Sequence, residues 1–78
     1  MPNLVLYHFE GCSYCERVKD FMAKNKIKIP MKDTHKDVGA KEELIRIGGK
    51  SQVPCLVIDG KALYESLDIM EWLKRNFK

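Results

Sequence analysis

The sequence predicts a single α/β domain: a four-stranded mixed sheet flanked by three helices, in the order β-α-β-α-β-β-α. Three observations predict it. Short apolar or alternating stretches recur at Leu4–Phe9, Ile27–Lys32, Pro54–Ile58 and Lys61–Tyr64, the signature of strands. Helical spacing of apolar residues fills the first two gaps and the carboxyl-terminal segment. Only Asp59-Gly60 separates the last two strands, a dipeptide suited to a tight hairpin turn.

Each element has its own reason. Leu4 to Phe9 is nearly all apolar, as a central strand covered on both faces must be. Gly11 gives the following turn its backbone freedom. A helix runs from about Ser13 to Lys26 and carries its apolar residues at Val18, Phe21 and Met22. Ile27 to Lys32 alternates apolar and polar, and Pro30 places that strand at an edge. Strand, helix and strand in so few residues form a βαβ unit with parallel pairing. After the polar connection Asp33–Asp37, Asp37 or a neighbour can cap a second helix whose Ala40, Leu44 and Ile47 share one face. Gly48-Gly49 stops that helix. The last helix begins near Glu65-Ser66 and is expected to bury Ile69, Trp72, Leu73 and Phe77.

Composition narrows the function classes. A chain of 78 residues holds one domain, residues 1–78, and one small core. Its 45% hydrophobic and 32% charged residues fit a globular protein, and no apolar run approaches a membrane span. The net charge of +3 is spread over the chain, without the basic stripe interleaved with aromatics that nucleic-acid binding requires. Met1-Pro2-Asn3-Leu4 lacks the pattern of a secretory leader, so the expected location is cytoplasmic. Three cysteines, only two of them close together, argue against a secreted disulfide scaffold.

The chemistry concentrates at Cys12 and Cys15. A Cys-x-x-Cys pair where a strand passes into a helix is a redox arrangement more often than a structural one. The first sulfur lies beside the unpaired N–H groups of the helix start, where the positive end of the helix dipole favours a thiolate. Cys12 is therefore expected to be the nucleophile and Cys15, one turn further in, the resolving thiol held protonated. Two intervening residues let the sulfurs close a bond of about 2.05 Å without backbone movement. The competing zinc reading needs two more ligands, and Cys55, His8 and His35 stand at no recognisable spacing for it, so no metal is assigned. Cys55 reads as a small buried hydrophobe, and His8 and His35 receive no role.

At these residues the chain resembles a glutaredoxin. Cys12-Ser13-Tyr14-Cys15 is similar to that family's Cys-Pro-Tyr-Cys, with Ser13 adding a hydroxyl and an N–H where proline has neither. Ser51-Gln52-Val53-Pro54 resembles the family's Thr-Val-Pro loop, whose Val–Pro bond is cis. The order of elements is that of the whole glutaredoxin domain, so the resemblance implies a thioredoxin-like fold over essentially the full chain. One departure is informative. Where many glutaredoxins have Gly-Gly-x-x-Asp, this chain has Glu65-Ser66-Leu67-Asp68, and the Glu-Ser pair resembles the amino-terminal domain of glutathione transferases.

The resemblance implies a glutathione-dependent thiol–disulfide oxidoreductase that reduces glutathione mixed disulfides and protein disulfides through Cys12. Glutathione is then the electron donor and no bound cofactor is required. The implied glutathione contacts are Tyr14, Gln52, Val53, Pro54, Glu65 and Ser66. Val53 offers backbone N–H and C=O groups to an extended peptide, as in strand addition. Ser66 and the helix start suit the glutamyl carboxylate, and Glu65 suits the glutamyl ammonium. Gln52 and Lys50 are candidates for the glycyl carboxylate. A helix cap is the plainer reading of Glu65-Ser66. The expected partners are glutathione and disulfide or glutathionylated proteins, with a monomer as the working unit. Two alternatives stay open: a dimer holding a 2Fe–2S cluster through Cys12 thiolates and glutathione, and a small thioredoxin-like electron donor reduced by a flavoprotein.

Overall fold

The structure, a computed structural model, describes residues 3–77. Its elements follow the expected order: β1 (Leu4–His8), α1 (Ser13–Lys24), β2 (Met31–Asp33), α2 (Val38–Gly48), β3 (Cys55–Ile58), β4 (Lys61–Leu63) and α3 (Ser66–Asn76). The strands lie in the order β2-β1-β3-β4. β1 pairs parallel with β2, while β1–β3 and β3–β4 are antiparallel, so the sheet is mixed.

Alternation along β1 divides the core in two. Leu4 and Leu6 join Val18 and Met22 of α1 and Ile69 and Leu73 of α3 on one face. Tyr7 joins Ala40 and Leu44 of α2 on the other. A strand packed on both faces is apolar at successive positions, which is why Leu4–Tyr7 shows no polar alternation. The Tyr7 hydroxyl donates to Glu43, whose carboxylate also accepts from Lys32 Nζ at 2.8 Å.

Six boundaries differ from the sequence expectation. β1 ends at His8 rather than Phe9, and the second strand runs to Asp33 rather than Lys32. Helix α1 stops at Lys24, two residues early, because the chain turns left-handed at Lys26 (φ 56°). There the N–H of Ile27 donates to Met22 O at 2.8 Å and that of Lys26 to Ala23 O at 3.3 Å, a Schellman ending without its usual glycine. The second strand begins at Met31 rather than Ile27: Ile27 is buried in the core as part of that ending, and the Pro30 carbonyl only accepts from Leu6 N–H. β3 starts after Pro54 and β4 ends before Tyr64. Trp72 and Phe77 are half-buried at the rim of the core, while Ile69 and Leu73 fill its centre.

The caps behave as expected elsewhere. Asp37 Oδ1 accepts the N–H of Ala40 at 3.2 Å, and Gly49 ends α2 with φ 83°. Asp59 and Gly60 both take positive φ, the geometry of a type I′ hairpin.

Two predictions arise from backbone features. Lys26→Gly should raise stability by about 0.5–1 kcal/mol, since a side chain at left-handed φ is disfavoured there. An unchanged urea midpoint would refute it. Gly48 is glycine for a different reason: a Cβ there would meet the Tyr64 hydroxyl, with Tyr64 Cζ at 2.8 Å and Ala62 Cβ at 3.1 Å. Gly48→Ala should therefore cost about 1–3 kcal/mol, and Tyr64→Phe in the same chain should recover part of it. Additive losses in the double variant would show that the ring is not the obstacle.

Candidate active site

Cys12 stands at the N-cap of α1, and its Sγ accepts the N–H of Cys15 at 3.4 Å. A thiol occupies the place usually held by a serine or aspartate oxygen, facing the free amides of the first turn. Cys12 is partly exposed and Cys15 is fully buried. Burial, reinforced by the hydrogen bond with Cys12, pushes the Cys15 thiol up to about 12. The two cysteines are thus unequal in the way the sequence reading requires: one sulfur accessible at a helix start, the other enclosed and protonated.

Beside them lies a cavity of about 250 Å³ lined by Tyr14, Gln52, Val53, Pro54, Glu65 and Ser66. These are the six side chains singled out from the sequence, drawn from three separate segments. Tyr14 is 58% exposed, next in line to the cysteine and paired with the Arg17 guanidinium 5.8 Å from its ring. The Val53–Pro54 bond is cis. Among the described residues no backbone–backbone hydrogen bond outside the regular elements involves Val53, which lines the cavity.

The start of α3 departs from a simple cap. Glu65, not Ser66, is the N-cap residue, with φ 34° and ψ 115° and no side-chain capping bond. Ser66 is the first helical residue, largely buried against the cavity. Glu65 supplies no side-chain oxygen to the amides of this first turn, and such free amides at a helix start suit an incoming carboxylate. Lys50 lies elsewhere than the sequence reading offered. Its Nζ sits 4.6 Å from the Tyr64 ring centroid, Tyr64 Oη donates to its carbonyl at 3.2 Å, and it does not line the cavity.

Two larger surface grooves, about 560 and 550 Å³, lie along α1–α3 and beside β1; no cysteine lines any of the three hollows, and of the three the smallest includes Tyr14 of the Cys-x-x-Cys stretch. Among the described residues no group of three or more His, Cys, Asp or Glu side chains is placed to hold a metal. No helix is long and apolar enough to cross a membrane. Cys55 is fully buried in β3, where burial pushes its thiol up to about 11.

The buried thiols set a pH dependence. Unfolding frees both to ionise from about pH 8.5 upward, whereas the folded protein keeps their protons, so the unfolded state binds fewer protons. Stability is then complete below about pH 8 and falls by about 1.4 kcal/mol per pH unit per thiol between roughly pH 9 and 11. Urea titrations of the reduced protein should show the fall, and Cys55→Ala should remove about half of the slope between about pH 9 and 10, above which Tyr7, held protonated by burial and Glu43, adds to it. A flat profile would contradict the burial argument.

A four-stranded sheet in this order, three helices and a cysteine pair at the start of the first helix define the class: a thioredoxin-fold protein of the glutaredoxin type, the architecture of thiol–disulfide oxidoreductases. More narrowly, the chain belongs to the family described as glutathione S-transferase, N-terminal domain, whose model matches residues 6–78. It is 28% identical to glutaredoxin 3 of Escherichia coli (strain K12) over 61 residues, covering 78% of this chain and 74% of that protein. Among solved structures it is similar to the thioredoxin-like protein BC3987, with TM-score 0.76, 25% identity, and coverage of 90% of this chain and 97% of that one. It also matches glutathione transferase Omega 3C from Trametes versicolor, with TM-score 0.80 and 30% identity over 96% of this chain but 34% of that one. The holo form of glutaredoxin C1 from populus tremula x tremuloides shares the fold at TM-score 0.70 and 22% identity, with coverage of 95% and 76%.

Proposed function

We propose that this protein is a glutathione-dependent thiol–disulfide oxidoreductase, with Cys12 as nucleophile and Cys15 as resolving thiol. The observation that carries the reading is the placement of an accessible cysteine sulfur at a helix N-cap, beside a polar cavity that ends at a second uncapped helix start. The cavity is suited to the polar ends of glutathione. The α3 amides and Ser66 take the glutamyl carboxylate, Glu65 takes the adjacent ammonium, and Val53 pairs with the cysteinyl backbone. A plain anion site has no use for an acidic residue at its mouth, which is why Glu65 favours a ligand carrying both charges.

In the one-thiol route the Cys12 thiolate attacks the glutathionyl sulfur of a mixed disulfide. The substrate leaves as its thiolate and Cys12 becomes glutathionylated. A second glutathione attacks that bond, releasing glutathione disulfide and restoring Cys12. In the two-thiol route Cys12 attacks a protein disulfide, Cys15 displaces the product, and two glutathiones reduce the resulting Cys12–Cys15 bond. Rates depend on the thiolate fraction, the leaving group and access to the sulfur. This exchange chemistry needs no bound cofactor.

The direct test is adduct formation. Reduced Cys15→Ser protein mixed with glutathione disulfide should gain one glutathionyl group, mapped to Cys12 by peptide mass spectrometry. Absence of the adduct, with the protein folded, would remove glutathione from the reading. Reduction by a thioredoxin reductase would then favour the flavoprotein-coupled alternative.

A further inference from the structure

We propose that His8 is the buried base of the resolving half-reaction, taking the proton of Cys15 onto its free Nδ1 as Cys15 attacks a mixed disulfide on Cys12. This rests on the two-thiol role of the cysteine pair, not on which disulfide is reduced.

His8 is the last residue of β1 and only 8% exposed. Its Nδ1 is, among the described residues, the one buried side-chain polar atom without a hydrogen-bond partner. Buried polar atoms are nearly always paired, so an orphan calls for an explanation. The main chain of His8 is fixed: its carbonyl accepts from Thr34, through the backbone N–H at 2.8 Å and Oγ1 at 3.4 Å. The backbone is anchored while the ring nitrogen is left open.

Its position follows from two periodicities. Leu4 and Leu6 face the α1 and α3 layer, so His8, two residues on, faces it too. Helix α1 buries Cys15, Val18 and Met22. Strand and helix are joined by a short turn and run in opposite directions, so Leu6 packs with Val18 and Met22 in the core. The backbone of Phe9, the residue after His8, bonds the Cys15 thiol, and Lys19 acts on both His8 and Cys15, so the two lie in one neighbourhood; no hydrogen bond joins Nδ1 to that thiol in the resting structure, and the transfer requires the ring to close on it or one bridging water.

The electrostatics fit a proton acceptor. Burial first, then the Lys19 ammonium, holds His8 below the usual histidine range, while Asp33 of β2, Glu16 of α1 and Glu10 of the turn oppose this less strongly. The ring is therefore neutral near pH 7 with a lone pair to offer. Lys19, itself 3.3 Å from Glu16, acts on both partners: it disfavours a proton on His8 and favours the Cys15 thiolate. With its thiol pushed up to about 12, Cys15 has almost no thiolate of its own at neutral pH. The step balances as follows. The Cys15 proton moves to Nδ1, a Cys15–Cys12 sulfur bond forms, and the bond from Cys12 to the departing sulfur breaks. The departing sulfur leaves as a thiolate, and the imidazolium passes its proton to that thiolate or to solvent, leaving His8 neutral, the cysteine pair oxidised and the substrate reduced.

The test uses dithio-bis-nitrobenzoate, which releases a coloured thiolate at each exchange. Wild-type protein should release it in two phases: attack by Cys12, dependent on reagent concentration, then closure by Cys15, independent of it. In His8→Gln and His8→Phe the closure phase should slow by about a hundredfold near pH 7 and become proportional to hydroxide, while the first phase stays within about twofold. Two variants guard against one that fails to fold, and the first phase reports on the integrity of the helix start. Closure at the wild-type rate, equal slowing of both phases, or a wild-type protein without a second phase would each overturn the proposal. The reagent contains no glutathione. If these phases separate as expected but glutathione disulfide fails to load Cys12, the glutathione reading falls and the role of His8 stands.

Discussion

Cys12→Ser should abolish turnover of a glutathione mixed disulfide, by about a thousandfold or more, in an assay coupled through glutathione reductase to loss of NADPH. Cys15→Ser should keep at least about half of the wild-type rate, because the one-thiol route never calls on the buried sulfur. The asymmetry has a physical origin in the site. Cys12 is accessible and sits where α1 presents its free amides. Cys15, fully buried with its thiol pushed up to about 12, is a poor attacker of anything but a bond brought to it by Cys12. With a protein disulfide the order changes: Cys15→Ser should stall as a covalent complex through Cys12. Activity surviving in Cys12→Ser would sink the assignment of the nucleophile. Equal loss in both variants would instead mean that the protein works only by the two-thiol route.

Most of the fold was legible because the signals were local. The apolar run at Leu4–Tyr7, the Asp37 cap, the Gly49 stop and the Asp59-Gly60 turn each state their own geometry. The second strand was misjudged at its start because alternation in Ile27–Lys32 looks like a strand, whereas Ile27 is engaged in closing α1. No local pattern announces a Schellman ending that uses lysine rather than glycine. The cavity was legible through motifs, since Tyr14 of the Cys-x-x-Cys stretch, the Val53-Pro54 loop and Glu65-Ser66 converge from distant positions onto one hollow. Lys50 was offered as a candidate for it and lies instead on Tyr64, a contact that sequence distance hides. His8 was weighed as a zinc ligand and given no role. Its signal was the same alternation that identified β1, because a polar residue two positions after Leu4 and Leu6 falls on the buried face.

Glu65 offers a prediction in which binding and stability move in opposite directions. Its φ of 34° with ψ of 115° lies outside the regions open to side chains, and no capping bond of its own offsets the strain. Replacing it by glycine should relieve part of the roughly 1–3 kcal/mol such a conformation costs, less the 0.5–1 kcal/mol or so that glycine loses in entropy on folding. A net gain of about 1 kcal/mol in a urea titration is expected. Under the proposed function the same change would remove the carboxylate that takes the glutamyl ammonium, a charge-assisted contact of about 2 kcal/mol, so KM for glutathione should rise roughly 30-fold with kcat little altered. Glu65→Ala separates the two effects: it loses the contact but keeps the strain, and should bind as poorly as the glycine variant without its added stability. If Glu65→Gly leaves KM unchanged, Glu65 holds no part of the ligand. If it destabilises the fold, the backbone there is supported by contacts that outweigh its strain. A residue kept in a costly conformation at the mouth of a cavity is best explained by what its side chain holds there, and these two variants measure that directly.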